Sequence, residues 1–256
     1  MIGTRRWRFV TAPLLVPLLL AGALEWSART LVPDSDALAP PSAAAMALFH
    51  AGVDGALWTA TGFTLRAALL GTALGGALGL LAGMLLGLSR RAASASFLSI
   101  EILRPIPSVA LIPMAMLVFG FGINMEVSVV AFATLWPMLI LMQAAVRQVE
   151  PRLLEVAAAL ELSLADRLAK ILLPAVLPRF FVALRLCIAV ALVVAVTVEI
   201  AANPHGVGYA LIVAQQSLDP ASMLAWLVWL GLVGLGVNLL AERMQRYALR
   251  RLGDCA

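Results

Sequence analysis

Six apolar segments separated by short polar stretches constrain this 256-residue chain more than any other feature. They cover residues 9–24, 61–88, 97–121, 127–146, 180–201 and 223–240. About 20 apolar residues are needed for a helix to cross a bilayer, and backbone groups inside lipid must be paired within helices or closed barrels. Only 12% of the residues are charged, against about a quarter in soluble proteins. We therefore predict an all-α integral membrane protein with six transmembrane helices.

The first segment has two interpretations. Three arginines within residues 1–8 precede an apolar run, which is also the arrangement of a secretory signal peptide. The run contains two prolines, is long for a signal peptide and leads into a chain that is itself embedded in the membrane. We interpret it as the first transmembrane helix, followed over residues 26–60 by an exposed outer loop with some interfacial helix.

The basic residues indicate the orientation of the chain. With the N-terminus in the cytosol and six crossings, the outer segments hold Arg29 and the acids Asp34, Asp36, Asp54, Glu126 and Asp219. The inner segments hold Arg5, Arg6, Arg8, Arg90, Arg91, Arg147, Arg152, Arg167, Lys170, Arg179, Arg243, Arg246, Arg250 and Arg251. Lys and Arg concentrate on the cytosolic side of membrane proteins. Both termini are therefore predicted to be cytosolic, and the net charge of +4 reflects topology rather than nucleic-acid binding.

A glycine recurs every four residues along the second segment, at Gly71, Gly75, Gly79, Gly83 and Gly87. Small residues at this spacing let two helices approach closely in lipid. The partner helix belongs either to the same subunit, which we favour, or to a second copy across a dimer seam.

The third segment contains Arg104-Pro105-Ile106-Pro107, followed by Pro113. Prolines at this density bend a helix and leave carbonyl groups that lipid cannot pair, so the segment must face protein or a water-filled cavity. We predict a kinked wall of a translocation pathway. The alternative is an interfacial anchor whose arginine reaches the headgroups.

Two charges lie near the ends of the fifth segment, Arg185 and Glu199. Charged residues inside spans are rare and are usually paired or functional. We favour an interfacial or structural role for both and keep Glu199 as a candidate pathway residue, because a gate or substrate contact is the alternative.

Several kinds of chemistry are missing from the sequence. It contains no Gly-x4-Gly-Lys-Ser/Thr loop for nucleotide, no His-Glu-x-x-His and no Gly-x-Ser-x-Gly. Two distant histidines and two cysteines, Cys187 and Cys255, suggest neither a disulfide framework nor a metal site. The chain is predicted not to be an enzyme, so energy and substrate capture must come from partners.

The cytosolic loop over residues 148–178 carries two short amphipathic helix patterns. Ser163 and Asp166 have the spacing of an N-terminal capping box, which predicts the start of the second helix. Pro174 and Pro178 are predicted to end it. Two helices tied to spans at both ends would form a knob that another protein can move.

This loop resembles a motif of the membrane subunits of binding-protein-dependent ABC importers. Their loop reads Glu-Ala-Ala, three residues, Gly, nine residues, Ile-x-Leu-Pro. In register, this chain has Glu155, Val156, Ala157, Glu161, Ile171, Leu173 and Pro174. Val156 departs mildly from the motif, whereas Glu161 replaces a glycine that is able to end a helix at positive φ.

The resemblance implies a MetI-like permease core whose loop docks into a separate ATPase. Glu155 would be a polar contact on the knob, Ala157 and Ala158 would allow close approach, and Leu173 and Pro174 would hold the lever to the fifth span. It further implies two cytosolic ATPase subunits that bind ATP and Mg, with no cofactor on this chain. A second permease copy in a homodimer, an extracytoplasmic binding protein and the inner membrane of a bacterium complete the expected setting.

Two further stretches resemble the branch of this family that transports nitrate, taurine and alkanesulfonates. They are the Arg-Pro-Ile-Pro run of the third segment and Gly206-Val207-Gly208-Tyr209 with Gln215-Gln216, where a short outer helix is expected. A small anion is the implied substrate, and a thiamine precursor or a riboflavin-like molecule is the alternative. An ion-gradient-driven transporter and a membrane scaffold are rival functions. We divide the chain into residues 1–60, a permease core over 61–242 and a basic tail over 243–256.

Overall fold

The computed structural model describes residues 3–30, 39–150 and 163–253, and all regular structure in these ranges is helical. The α-helices are α1 (Gly3–Thr30), α2 (Pro41–Val53), α3 (Ala56–Leu88), α4 (Arg90–Leu103), α5 (Ile112–Phe119), α6 (Ile123–Arg147), α7 (Leu164–Arg167), α8 (Leu173–Ala202), α9 (Val207–Gln216) and α10 (Pro220–Gly253). A 3₁₀ turn (Ser108–Leu111) precedes α5, and a π-helical turn (Leu168–Leu172) joins α7 to α8. The predicted all-α class is confirmed, and α9 is the short helix expected after Gly206.

Four helical stretches in the described ranges are long and apolar enough to cross a membrane. They are α3, α6, Lys170–Ala202 and Pro220–Arg250. Helix α4 and the helical stretch Ser108–Phe119 form a fifth if the pair is one broken span, with 83° between its arms. The first predicted segment lies within α1, which is not among these four, so the count of six spans stays a prediction.

One of the two compact units of the chain consists of residues 1–60 and 210–231. Here α1 and α2 are joined through Glu25, whose carboxylate accepts hydrogen bonds from the backbone N–H and the hydroxyl of Ser42 at 3.0 and 2.8 Å. Arg29 pairs with Glu25 one turn along α1. The indole rings of Trp58 and Trp229 meet edge to face, with centroids 5.7 Å apart.

The second unit, residues 61–209 and 232–256, is organised around α6 and α8. Two clusters of buried side chains pack around these helices, one near Met125 and Val198 and the other near Met142 and Cys187. The thiol of Cys187 donates to the Thr134 carbonyl at 3.4 Å. Cys187 is therefore a packing residue, as expected for an apolar core in which free cysteine behaves as a small hydrophobe.

The glycine stripe of α3 packs on α6 of the same chain. A β-carbon at Gly83 would stand 2.5 Å from the Leu139 carbonyl oxygen, and the other four glycines of the series meet α6 equally closely. The Thr134 hydroxyl reaches across to the Gly71 carbonyl at 3.3 Å. The opposite face of α3 leaves Leu74, Leu78, Leu81 and Leu85 exposed, as suits a surface turned to lipid. The favoured interpretation of the stripe is confirmed, since its face is already covered within the subunit.

The predicted helix start at Ser163 is confirmed, but the predicted end at Pro174 and Pro178 is wrong. Pro174 lies in the first turn of α8, where a proline sacrifices no intrahelical hydrogen bond. Pro178 lies inside the same helix. The π-helical turn Leu168–Leu172 leads directly into α8, so the chain continues from the loop into the span without a break.

Candidate functional site

The third predicted span is broken at its Arg-Pro-Ile-Pro run. Pro105 and Pro107 have no N–H to donate, so the hydrogen-bond ladder of α4 cannot continue through them. Helix α4 therefore ends at Leu103, and the chain turns through Arg104 to Pro107 into the 3₁₀ turn. Pro113 occupies the first turn of α5, where it is tolerated. The predicted kink is confirmed, and it is a complete break.

Two cavities lie on either side of this break. The first has a volume of about 460 Å³, and α4 and α6 provide Phe97, Glu101, Gln143 and Arg147 to its wall. The second has a volume of about 380 Å³ and lies among the 3₁₀ turn, α6 and α8. Arg104 lines both cavities, so one arginine at the break borders both spaces.

Three side chains that can only donate hydrogen bonds line these cavities, namely Arg104, Arg147 and Trp136, together with the carboxyl group of Glu101. In the described ranges, Arg104 and Arg147 make no salt bridge. Trp136 lines the second cavity, and its indole N–H is buried without an acceptor. A buried donor without a partner is costly unless a ligand or water completes it. With Ser108 also present, the lining can receive an oxyanion, because guanidinium groups bind such oxygens with two hydrogen bonds.

Sequence reasoning missed part of this donor set. Arg147 was assigned only to topology, and Trp136 received no role. Pro137, which also lines the second cavity, was the available signal, because a proline inside a span marks helix geometry that neighbouring groups must compensate. Pro105 and Pro107 are exposed at the break and shape it.

Glu199 lies elsewhere, near the C-terminal end of α8, and lines neither cavity at the break. It is 1% exposed and accepts a hydrogen bond from the Gly208 N–H at 2.8 Å. Arg185 of the same helix donates to the Asn238 amide oxygen at 3.1 Å, which agrees with the favoured structural role. The placement of Glu126 in an outer loop was wrong, because this side chain lies in the first turn of α6 and is fully buried.

The loop of the importer motif is only partly covered. Glu155, Ala157, Ala158 and Glu161 lie outside the described residues, whereas Ile171, Leu173 and Pro174 lie inside them. Leu173 is 49% exposed and Pro174 is exposed. Leu172, which the motif leaves unspecified, is 4% exposed and belongs to the buried cluster around Met142. Leu172 is therefore the residue through which buried contacts anchor this segment to the spans.

Polar contacts fix the start of α7. The Asp166 N–H donates to the Ser163 hydroxyl at 3.1 Å, and that hydroxyl donates to the Asp166 carboxylate at 2.7 Å. Lys170 lies 2.6 Å from the same carboxylate. The hydrogen bonds from Lys170 and Ser163 both hold the pKa of Asp166 below its usual range, and the one from Lys170 has the larger effect. The carboxylate therefore stays charged at neutral pH and stabilises the helix N-terminus.

Comparison with known proteins identifies relatives along the chain. Residues 75–254 match the family model described as binding-protein-dependent transport system inner membrane component. The chain is 28% identical over 252 residues to an aliphatic sulfonates transport permease protein of Escherichia coli (strain K12), covering 96% of this chain and 94% of the relative. It is 27% identical over 186 residues to a nitrate import permease protein of Synechococcus elongatus, covering 72% and 67%. These relatives are membrane permeases and not enzymes, in agreement with the prediction.

A solved structure has the same fold. The MetNI methionine ABC transporter, described in inward-facing conformations, contains a chain that superposes with a TM-score of 0.63 at 20% identity. The match covers 76% of this chain and 94% of that chain. The likeness confirms the predicted permease fold.

Proposed function

Since this chain belongs to the family of binding-protein-dependent transport system inner membrane components, we propose that it forms the translocation pathway of an ABC importer for a small oxyanion. The observation that carries the proposal is Arg104, which has no salt-bridge partner in the described ranges and borders two cavities at the broken helix. Charged residues within membrane spans are usually paired or functional, and Arg104 lies at the break of a candidate span.

The substrate class is supported by two independent features. Both relatives described above are named for oxyanions, a sulfonate and nitrate. The cavity donors of this chain, Arg104, Arg147 and the Trp136 N–H, match the acceptor oxygens of such ions. Glu101, on the wall of the first cavity, would disfavour highly charged anions there and favour monoanions.

A permease of this family works with an ATPase and a substrate-binding protein. We place two ATPase subunits, with their ATP and Mg, on the cytosolic side and the binding protein on the outer side. A second copy of this chain completes the pathway as a homodimer, and both termini lie in the cytosol. This arrangement puts the basic cytosolic segments next to the inner surface of the membrane.

The 155–174 loop transmits force from the ATPase to the spans in this proposal. Glu155, Ala157 and Ala158 contact the ATPase, and the capped helix at Ser163 carries the movement to Leu172. Because Leu172 is buried against α6, a shift of the loop moves the spans with it. ATP binding then selects between two existing arrangements of the pathway.

Uptake by the complete importer in proteoliposomes tests the substrate class. The permease, its ATPase and its binding protein would be reconstituted together with ATP inside the vesicles, and accumulation of a labelled alkanesulfonate, taurine, nitrate and bicarbonate would be compared. Thiamine precursors and riboflavin serve as the neutral or cationic alternatives. ATP-dependent uptake of at least one oxyanion is expected. Uptake restricted to a heterocyclic compound would reject the anion proposal but not the permease assignment.

A further inference from the structure

Two glutamates meet in a closed polar cluster at one end of α6 and α8. Glu126 belongs to the first turn of α6 and Glu199 to the last turn of α8, and they are 0% and 1% exposed. Asn203, which follows α8, and Thr64 of α3 complete the cluster, at 2% and 1% exposed. Four side chains from three separate parts of the sequence are thus buried together.

Hydrogen bonds connect the members of this Glu126–Glu199 cluster. The Asn203 amide donates to Glu126 Oε2 at 2.6 Å, and the Gly208 N–H donates to Glu199 Oε2 at 2.8 Å. The Val207 N–H donates to the Thr64 hydroxyl at 3.0 Å. The carboxyl groups of Glu126 and Glu199 are close enough to interact with each other. Two carboxyl groups can hydrogen-bond to each other only when one of them carries a proton, because carboxylate oxygens only accept.

The backbone around the cluster is shaped to the Glu199 side chain. Gly206 has φ +95°, and a β-carbon there would overlap the Glu199 carboxyl group. A β-carbon at Gly208 would come within 2.8 Å of Glu199 Cβ. The segment between α8 and α9 therefore closes directly over this carboxyl group, and its conformation depends on the carboxyl group remaining in place.

The cluster has too few hydrogen-bond donors. Three of its buried oxygens, Glu126 Oε1, Glu199 Oε1 and Asn203 Oδ1, have no partner in the structure. All three are acceptors, so added protons would satisfy them and added acceptors would not. Asn203 is 2% exposed, so its unpartnered oxygen lies in the same enclosed space as the two carboxyl groups.

No cation of the chain neutralises the pair in the described ranges. Neither glutamate takes part in a salt bridge there. On the elements packed against the pair, Arg66 of α3 is exposed, and His205 stacks on Phe63 with ring centroids 5.0 Å apart. Helix α5 contributes no charged residue. Two negative charges in contact inside a low-dielectric interior would repel strongly and lose their hydration.

We propose that Glu126 and Glu199 form a proton-binding site, in which one resident proton shared by the two carboxyl groups latches α6, α8 and the 203–208 segment together. Loss of this proton to water leaves two carboxylates in contact, and their repulsion releases the segment that Gly206 and Gly208 fold over Glu199. The site adds a proton-dependent element to the permease away from the two cavities at the break, and it does not depend on which substrate is carried.

Infrared spectroscopy of the full chain in lipid nanodiscs tests the site directly. At pH 7 the wild type should show the C=O stretch of a buried protonated carboxylic acid, shifted in D₂O, which disappears in E126Q/E199Q. Glutamine preserves the size and the hydrogen bonds of both positions but cannot bind the proton. E101Q is the matched control, because Glu101 is exposed, and it should retain the band. Identical spectra of wild type and E126Q/E199Q would overturn the proposal.

Amide hydrogen exchange over residues 199–208 tests the latch. The ratio of the exchange rates of wild type and E126Q/E199Q at one pH cancels the intrinsic pH dependence of exchange. This ratio should rise as the pH is raised from 7 towards 10, because only the wild type loses its proton. A ratio that stays constant would contradict the latch. The proposal would also be overturned if Na⁺ or Ca²⁺ stabilised the wild type but not E126Q/E199Q, and if choline buffer gave no such stabilisation. The pair would then bind a metal ion and not a proton.

Discussion

Gly79 of α3 lies so close to Leu135 of α6 that a β-carbon at position 79 would stand 2.5 Å from the Leu135 carbonyl oxygen. This contact is one of five that recur along the glycine stripe and set the distance between the two helices. Since lipid supplies no hydrophobic drive for helix association, close backbone packing of this kind carries much of the stability of a membrane bundle.

We expect Gly79→Ala to destabilise the protein by about 1–3 kcal/mol, the range measured for overpacked interiors. The obstruction comes from backbone, which cannot rotate away as a side chain can. Gly76→Ala is the matched control, because a β-carbon there meets only the Met138 methyl group at 3.7 Å, and alanine favours the helix. Thermal unfolding in detergent compares the two variants. Equal melting temperatures would contradict the close packing of α3 on α6.

Replacing Arg104 by Gln should lower uptake efficiency by roughly 10- to 100-fold, as expected from the 1.5–3 kcal/mol of a hydrogen bond to a charged group. Arg91→Gln removes the same charge from a position of α4 that lines neither cavity and should transport normally. The measurement is kcat/KM for the oxyanion in proteoliposomes, with ATP hydrolysis followed in parallel. Equal losses in both variants would show that Arg104 acts through general charge and not in the pathway.

Leu172→Ala should cost about 2–5 kcal/mol, as large-to-small changes in cores do, and should uncouple ATP hydrolysis from uptake. Leu173→Ala, its neighbour, is the control, because its side chain is 49% exposed whereas Leu172 is 4% exposed. Unfolding temperature and the ratio of ATP hydrolysed to substrate imported would be measured for each. A larger effect at Leu173 would contradict this and show that Leu173, the residue that the motif specifies, anchors the segment.

Asp219 gives a pH dependence to the start of α10. Its carboxylate accepts a hydrogen bond from the Ser222 N–H at 3.0 Å. The hydrogen bond from the Ser222 hydroxyl is the largest cause that lowers the pKa of Asp219, and the one from the N–H is the next. A lowered folded-state pKa means that the cap stabilises the helix above the unfolded pKa of about 3.9 and is lost as the pH falls through the folded value. Amide exchange over residues 220–226 should accelerate relative to Asp219→Asn below about pH 3.9, since Asn caps without titrating. A constant ratio down to pH 2 would contradict this.

Much of the fold could be predicted from residue pattern alone. Apolar segment length located α3, α6, α8 and α10, and the spacing of the glycines anticipated a close helix contact. Proline positions predicted the break after Leu103, because a missing backbone N–H disrupts the helix close to the proline itself. Pro178 was misinterpreted, since a helix interior tolerates proline when tertiary packing holds the chain on both sides.

The polar sites were harder to predict because they depend on tertiary contacts. Glu126 follows Gly120 and Gly122, both at positive φ, and such a stretch is typical of an exposed turn. Only folding brings Glu126 against Glu199 and Asn203, which are distant in sequence. The lack of an acceptor for the Trp136 N–H likewise cannot be predicted until the positions of the neighbouring groups are known.

The central claim, that an ATPase drives this permease, is tested most directly by uptake of labelled oxyanion into proteoliposomes with the ATPase present or omitted. We predict uptake only when permease, ATPase, internal ATP and external binding protein are all present, and no uptake when an ion or proton gradient replaces ATP. Uptake by the permease alone, driven by such a gradient, would contradict the account and establish a secondary transporter instead.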